Sequence, residues 1–221
     1  MVQCSIADAK AQVWDIQARV VRNHFAGHDQ DIYSLDWSRD GRIIASGSGD
    51  RTIRLWDVAQ GQCTLTLQIE DGVTTVAISP DSYFVAAGSL DKSVRIWNMQ
   101  TGAVVMRTEG EQGHKDSVYS VAFTPNGREL ISGSLDKTIK MWDLRSRPGG
   151  ANMSGDCMRT FDGHRDFVLS VASTPEPDHV MPMSYIMSGS KDRGVVFWDV
   201  QTGIPQLLLQ GHKNSGKSTY C

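Results

Sequence analysis

The sequence is poor in the features that would place it at once in several functional classes. No apolar stretch approaches the roughly 20 residues of a membrane-spanning helix, and no window of about ten residues has helical periodicity. The net charge is only −3 over 221 residues, which is too weak to attract nucleic acid or a membrane surface by bulk electrostatics. The start, "MVQCSIADAK", has neither the basic segment nor the apolar run of a secretory signal. We therefore expect an intracellular globular protein with no direct nucleic-acid or membrane partner.

Residues that could bind a metal ion are also few. The cysteines Cys4, Cys63, Cys157 and Cys221 form no C-x-x-C pair. His179 lies in a segment rich in proline and acidic residues, with no second histidine or cysteine near it. We expect no metal site and a reducing compartment.

One motif points to an enzyme. The stretch "GHKNSGKS" matches the phosphate-binding pattern G-x-x-x-x-G-K-[ST] through Gly211, Gly216, Lys217 and Ser218. Such a loop needs a helix after it, whose N-terminus faces the phosphates, but only three residues follow Ser218. We therefore interpret the match as accidental and expect neither a nucleotide nor another cofactor.

Internal repetition is the strongest signal in the chain. The phrases "SGSGDRTIRLWDV", "AGSLDKSVRIWNM", "SGSLDKTIKMWDL" and "SGSKDRGVVFWDV" align on a tryptophan, and a fragment, "AKAQVWDI", precedes them. Three units begin with Gly-His, in "GHDQDIYSLDW", "GHKDSVYSVAF" and "GHRDFVLSVAS". The aligned tryptophans are 42, 41, 45 and 56 residues apart, at Trp14, Trp56, Trp97, Trp142 and Trp198. Gly211-His212 is the next step of this series, which explains the first glycine of the phosphate-binding match.

Each unit reads as four short strands separated by turn residues. A period of about 40–45 residues with Gly-His at the front and Trp-Asp at the back is typical of the WD-repeat β-propeller. We predict an all-β fold, an incomplete propeller of four full blades and about half of another. Residues 1–12 are predicted to precede the repeats of region 13–215, and 211–221 to hold the start of a further repeat and a divergent tail. The predicted units are 13–26, 27–69, 70–112, 113–162 and 163–210.

The recurrent polar residues have a structural interpretation. In WD propellers a histidine, a strand serine, a turn aspartate and the tryptophan form a buried hydrogen-bonded chain. Three regular copies argue against a catalytic Ser-His-Asp site, which needs one exposed nucleophile. The predicted chains are His28, Ser46, Asp50 and Trp56; His114, Ser132, Asp136 and Trp142; and His164, Ser188, Asp192 and Trp198.

The unit over 70–112 departs from this pattern. It lacks the Gly-His and has Ala87 in place of the serine, while Asp91 and Trp97 remain. The joint loss is expected for a hydrogen-bonded chain, because a half-satisfied buried network is worse than none.

A partner-binding face is predicted at the start of the first strand of each unit and at the turn before the recurrent aspartate. Several residues at these places are apolar or aromatic, as expected of a protein-binding surface. The alternative is that some of these side chains only pack into the central channel. The predicted face residues are Asp31, Tyr33, Thr74, Leu90, Ser117, Tyr119, Leu135, Phe167, Leu169 and Lys191.

The wording of the repeats goes beyond the general motif. The phrases "GHDQDIYSLDWS", "SGSGDRTIRLWD", "IEDGVTTVAISP", "AAGSLDKSVRIW" and "GHKDSVYSVAFT" closely resemble the C-terminal propeller of the fungal Tup-type general transcriptional corepressors, relatives of Groucho. The resemblance runs from about Val13 to Ser215 and includes the irregular second unit.

The resemblance implies a nuclear adaptor without enzyme activity. DNA-bound repressors would dock on its propeller face, and a tetratricopeptide co-corepressor is a further implied partner. The alternative function is a WD-repeat adaptor of another class, such as a ubiquitin-ligase substrate adaptor or a signalling scaffold. Family members are much longer and have seven blades, so we expect this chain to be a truncated member.

Overall fold

The computed structural model of the chain describes residues 2–7, 9–108, 110–145, 153–174 and 184–212, with the backbone alone for 2–7. His179 and the Gly216, Lys217 and Ser218 portion of the phosphate-binding match lie outside these residues.

Short antiparallel strands make up almost all regular structure in the described ranges. The exception is a single-turn 3-10 helix at Gly110–Gln112, and no helix there is long and apolar enough to cross a membrane. Consecutive strands pair into five meander sheets, which we number blades 1 to 5. Blade 1 has three strands, β1 (Val2–Ala7), β2 (Lys10–Asp15) and β3 (Val20–Phe25). Blade 2 has β4 (Ile32–Trp37), β5 (Ile43–Ser48), β6 (Thr52–Asp57) and β7 (Gln62–Gln68).

The remaining blades each have four strands. Blade 3 has β8 (Val73–Ile78), β9 (Phe84–Ser89), β10 (Val94–Asn98) and β11 (Val104–Arg107). Blade 4 has β12 (Val118–Phe123), β13 (Glu129–Ser134), β14 (Ile139–Asp143) and β15 (Cys157–Phe161). Blade 5 has β16 (Val168–Ser173), β17 (Tyr185–Ser190), β18 (Gly194–Asp199) and β19 (Pro205–Gln210). The predicted all-β, incomplete propeller with four complete blades is confirmed.

Blade 1 extends farther toward the N-terminus than the sequence predicted. Val2–Ala7 pairs along its length with Lys10–Asp15, with Gln3 opposite Trp14. Residues 2–7 and 10–12, which the sequence analysis placed ahead of the repeats, therefore belong to the first sheet, and this blade has three strands. Strand β1 contains neither the Gly-His nor the tryptophan phrase that recurs in the repeats. Its pairing with β2 is made by the backbone and does not need those residues.

The turn between the second and third strands of each complete blade follows one design. In blade 2 the amide of Asp50 donates to Ser48 Oγ, and the carboxylate of Asp50 accepts the amide of Thr52. The residue after the aspartate has a positive φ in all four blades although it is a lysine or an arginine (Arg51, Lys92, Lys137 and Arg193). Such a backbone is unfavourable for a side-chain-bearing residue, so the aspartate and serine bonds hold it in place.

Neighbouring blades are joined along their first strands. Strands β4, β8, β12 and β16 contact one another in succession. Hydroxyls on these strands accept backbone amides of the next blade: Val76 N donates to Ser34 Oγ at 3.1 Å, and Val171 N donates to Ser120 Oγ at 3.0 Å. The blades therefore follow one another in space in chain order.

The apolar core lies between the blades. Trp56 packs against Phe25 of blade 1, with ring centroids 5.6 Å apart, and Trp198 packs against Phe161 of blade 4 at 5.9 Å. Both tryptophans are almost completely buried. The tryptophan of one blade thus fills the gap beside the last strand of the preceding blade.

The far side of blade 5 is an exposed apolar surface. Leu207 and Leu209 on β19 are about half exposed. They pair with Phe197 and Val195, just as Leu65 and Leu67 pair with Leu55 and Ile53 in blade 2. In blade 2 these positions belong to a core cluster shared with blade 3.

Glycines on the second strands allow the blades to approach closely. A Cβ atom on Gly133 would lie 2.6 Å from Cγ1 of Val168 and 2.9 Å from Cγ1 of Val171 in blade 5. Gly47 and Gly88 face the next blade in the same way. The glycines of the "SGS" and "AGS" phrases in blades 2 to 4 are thus explained by packing between blades.

We expect Gly133→Ala to lower the free energy of unfolding by about 1–3 kcal/mol, the usual cost of overpacking a dense core. The added methyl group would push blade 5 away from blade 4. Urea denaturation followed by tryptophan fluorescence measures this change.

Gly194→Ala is the matched control. The new methyl group would lie 3.0 Å from Cδ1 of Leu208, a half-exposed side chain that can move. Thr52 and Thr138 already place a Cβ at this turn position in blades 2 and 4. Equal losses in the two variants would contradict the packing explanation.

Candidate protein-binding face and buried polar chains

Three blades contain the same chain of polar side chains. In blade 2, Trp56 Nε1 donates to Ser46 Oγ at 2.8 Å, and Ser46 Oγ lies 2.7 Å from His28 Nε2. His28 Nδ1 lies 2.7 Å from Asp50 Oδ2. The chains of blades 4 and 5 repeat these contacts at 2.7–2.8 Å. They consist of His114, Ser132, Asp136 and Trp142, and of His164, Ser188, Asp192 and Trp198.

The donors and acceptors fit one arrangement of protons. The indole N–H donates to the serine, the serine hydroxyl donates to Nε2 of the histidine, and the histidine Nδ1–H donates to the aspartate. This arrangement needs a neutral imidazole, and burial lowers the pKa of His28 against the opposing effect of Asp50. Burial by itself would raise the pKa of Asp50, but hydrogen bonds from Thr52, His28 and the Asp29 amide lower it. In blade 2 the chain is thus a neutral histidine bound to an ionised aspartate.

The serines have no access to a substrate. Ser46, Ser132 and Ser188 are completely buried, and each oxygen is already bound to an indole and an imidazole. A nucleophile needs an open approach to a carbonyl or phosphoryl group. The geometry therefore favours a structural role for the three chains.

Blade 3 replaces the chain with ion pairs. Arg95 is 4% exposed, and its guanidinium donates to Asp91 Oδ2 at 2.8 Å and also contacts Glu70. Arg107 adds a second contact to Glu70 at 3.3 Å. Asp91 was predictable from the repeat, but Arg95 was not, because blade 2 also has an arginine, Arg54, at the same repeat position. The substitution of Gly-His by Ile69-Glu70 was the available signal, since it introduces a carboxylate for the arginine.

Five predicted face residues meet around one recess. Its volume is about 440 Å³, and it lies at the beginning of the first strands of blades 2 to 5. Tyr33 and Leu90 are 58% and 38% exposed, whereas Tyr119 and Leu169 are partly buried. The structure thus combines an exposed rim with side chains that pack inward. The predicted residues that line it are Tyr33, Thr74, Leu90, Tyr119 and Leu169.

The other predicted face residues do not line the recess. Ser117 donates to the carbonyl oxygen of Leu90, and the Lys191 ammonium lies 5.1 Å from the centre of the Phe167 ring. Asp31 is exposed and Leu135 is partly buried.

Small hydroxyl residues between the predicted positions complete the lining. They are Ser34, Thr75, Ser120 and Ser170, and none of them was predicted from the sequence. Ser34, Thr75 and Ser120 also accept backbone amides of the next blade. A hydroxyl recurring at one position of each first strand was the signal that could have found them.

Comparisons with known proteins agree with this geometry. The model of the family "WD domain, G-beta repeat" matches residues 19–57, 61–98, 107–143 and 155–199. The chain belongs to the WD-repeat family. It is 66% identical to the transcriptional repressor rco-1 of Neurospora crassa over 94% of its length, which is 34% of that relative.

Two further relatives carry similar names. The transcriptional repressor tup12 of Schizosaccharomyces pombe is 49% identical over 92% of the chain and 33% of the relative. The general transcriptional corepressor TUP1 of Saccharomyces cerevisiae is 58% identical over 28% of the chain and 8% of the relative. This WD-repeat chain is thus of the Tup type, as its repeat wording predicted, and it spans about a third of the length of rco-1 and tup12.

We expect Ser132→Ala to destabilise the WD-repeat chain by about 1–3 kcal/mol for each buried group that loses its partner. Those groups are the Trp142 indole N–H and Nε2 of His114. Ser117→Ala is the control, since it removes one hydroxyl that is not fully buried. Unchanged urea denaturation for Ser132→Ala would contradict the structural role.

Stability is expected to fall in two stages on acidification. The pKa of His28 is lowered in the folded chain, so below about 6.5 the unfolded chain binds more protons and unfolding becomes easier. The pKa values of Asp50, Asp136 and Asp192 are also lowered. Their contribution is present above about pH 4 and is lost below it.

Urea midpoints measured at a series of pH values from neutral to acidic check this expectation. A midpoint that stays constant on passing below about pH 6.5 would argue against a neutral, buried His28.

Proposed function

We propose that the chain is a non-enzymatic protein-interaction scaffold of a nuclear transcriptional corepressor, and that DNA-bound repressors dock on the face around the recess. The observation that carries this proposal is the convergence of Tyr33, Leu90, Tyr119 and Leu169 on one recess formed by four blades. The names of the relatives support a role in repression.

The chemistry of the recess suits a protein ligand. Exposed aromatic and aliphatic side chains at its rim can be covered by apolar side chains of a partner, and tyrosine is among the residues that dominate binding energy. The hydroxyls of Ser34, Thr75 and Ser120 already bond to the backbone, which leaves the apolar groups as the main source of affinity.

A second partner is proposed with less support than the DNA-bound repressors. The resemblance to Tup-type corepressors also implies a tetratricopeptide co-corepressor as a partner. Repressors remain the proposed main ligands, because a surface made by several blades can accept different apolar segments.

The test uses Tyr33→Ala and Tyr119→Ala, singly and combined, in the full chain. We expect each to weaken binding of a purified DNA-binding repressor by about tenfold or more, as for an aromatic anchor in an interface. Pairwise binding is measured by calorimetry, and repression of a reporter gene is measured in nuclei that carry the same variants.

Tyr83→Ala is the matched control. Tyr83 is 52% exposed, similar to Tyr33 at 58%, but it precedes β9, whereas Leu90 follows that strand, so it lies at the opposite end of the blade. Normal repressor binding by the recess variants, or equal loss with Tyr83→Ala, would sink the proposed docking face.

A further inference from the structure

One position on the third strand differs sharply between the complete blades. It is the residue opposite the serine of the polar chain, or opposite Ala87 in blade 3. The residues at this position are Arg54 in blade 2, Arg95 in blade 3, Lys140 in blade 4 and Val196 in blade 5. A long cationic side chain is therefore replaced by a short apolar one in blade 5 alone among the four.

The two arginines show what the position can hold. In blade 3 the Arg95 guanidinium reaches the turn carboxylate of Asp91 at 2.8 Å. In blade 2 a Cβ atom on Gly27 would lie 2.7 Å from Nη1 of Arg54 and 3.2 Å from the Trp56 ring. The arginine side chain thus lies in a slot bounded by the tryptophan, the Gly-His turn and the turn aspartate. In blade 4, Lys140 turns away and donates to Thr160 on the outer strand.

In blade 5 the equivalent place is an open groove of about 400 Å³. Trp198 and Val196 are buried in it, and Leu208 is 53% exposed at its side. Gly163 and His164 line it from the turn that precedes β16. The groove therefore has an apolar wall next to a turn of the chain backbone.

The aspartate in this groove also has fewer partners than its counterparts. Asp50 Oδ1 accepts both the amide and the hydroxyl of Thr52, at 2.9 and 2.6 Å. Blade 5 has Gly194 in place of that threonine, so Asp192 Oδ1 accepts only the Gly194 amide among the bonds of this turn, at 2.9 Å. Burial would raise the pKa of Asp192, but hydrogen bonds, first from His164, lower it. Asp192 is thus an ionised acceptor with capacity for another donor.

We propose that this groove, the arginine slot of blade 5, binds an arginine side chain of a partner protein. The aliphatic stem lies along Val196 and Leu208, and the guanidinium donates to Oδ1 of Asp192, because Oδ2 already binds His164 and the Arg165 amide. Charge complementarity comes from Asp192, and the apolar wall suits the methylene groups of arginine. The slot lies away from the recess at the first strands, so this inference goes beyond the proposed function and does not depend on it.

Among the described residues that line the groove, Arg165 is the cation that would repel a bound guanidinium. Its amide donates to Asp192, while its side chain is exposed. Removing this cation by Arg165→Ala should strengthen arginine binding. It should weaken binding if the groove takes an anion instead.

The test is an NMR titration of the full chain with three capped tripeptides that carry arginine, glutamine or leucine between alanines. We expect the arginine peptide to shift the amide signals of Gly163, Arg165 and Gly194 at millimolar concentration, and the glutamine and leucine peptides to have little effect. Stronger binding of the leucine peptide would identify an apolar occupant and overturn the proposal.

Val196→Arg is the decisive variant, because it would fill the slot with a side chain of the protein itself. Its folding is expected to be normal, since Arg54 and Arg95 occupy the equivalent position in two blades. We expect it to weaken binding of the arginine peptide by at least about tenfold, as the peptide loses its charge-assisted bonds.

Gln100→Arg is the matched control, since it adds the same charge at an exposed turn of blade 3 and should leave binding unchanged. Absence of shifts in the wild-type chain, or equal binding by Val196→Arg, would overturn the proposal.

Discussion

The need of a buried tryptophan indole for a hydrogen-bond acceptor organises the inside of blades 2, 4 and 5. A tryptophan fills the space beside the preceding blade, and its indole N–H then needs an acceptor in the interior. The serine of the second strand supplies it, the histidine accepts a hydrogen bond from the serine hydroxyl, and the aspartate of the turn ends the chain. Because that aspartate also binds the turn amides, the buried chain and the local turn geometry are parts of one structure. In blade 3 the turn aspartate is instead paired with a buried arginine.

Much of this fold was predictable because the repeat marks its own boundaries. Four copies of one phrase established the strand order, the complete blades and the residues of the buried chains, since each marker residue has a fixed packing role. The first strand of blade 1 could not be predicted, because Val2–Ala7 carries no marker and is defined by backbone pairing with β2. The ion pairs of blade 3 were not predicted either, because an arginine also occupies the position of Arg95 in blade 2. Only the structure shows that Glu70 contacts Arg95.

The candidate face was predictable only in part. The repeat register places Tyr33, Thr74, Leu90, Tyr119 and Leu169 at equivalent points, but which of them share one recess depends on how the blades are set against one another. Ser117, Phe167 and Lys191 stand at similar register positions and yet do not line it. Side-chain length and local pairing decide this, as the contact between Lys191 and Phe167 illustrates. The same register, once the structure is known, also shows where blade 5 departs from its neighbours.

The succession of blades in chain order has a consequence for synthesis on the ribosome. Pairs within a sheet join residues that are close in the chain, and the hydroxyl bonds between blades join residues about one repeat apart, such as Ser34 and Val76. Each sheet can therefore form soon after its own residues emerge, and the next one then has a finished surface to pack on. Such growth requires few long-range encounters, so nascent chains of this type can fold vectorially, one repeat after another.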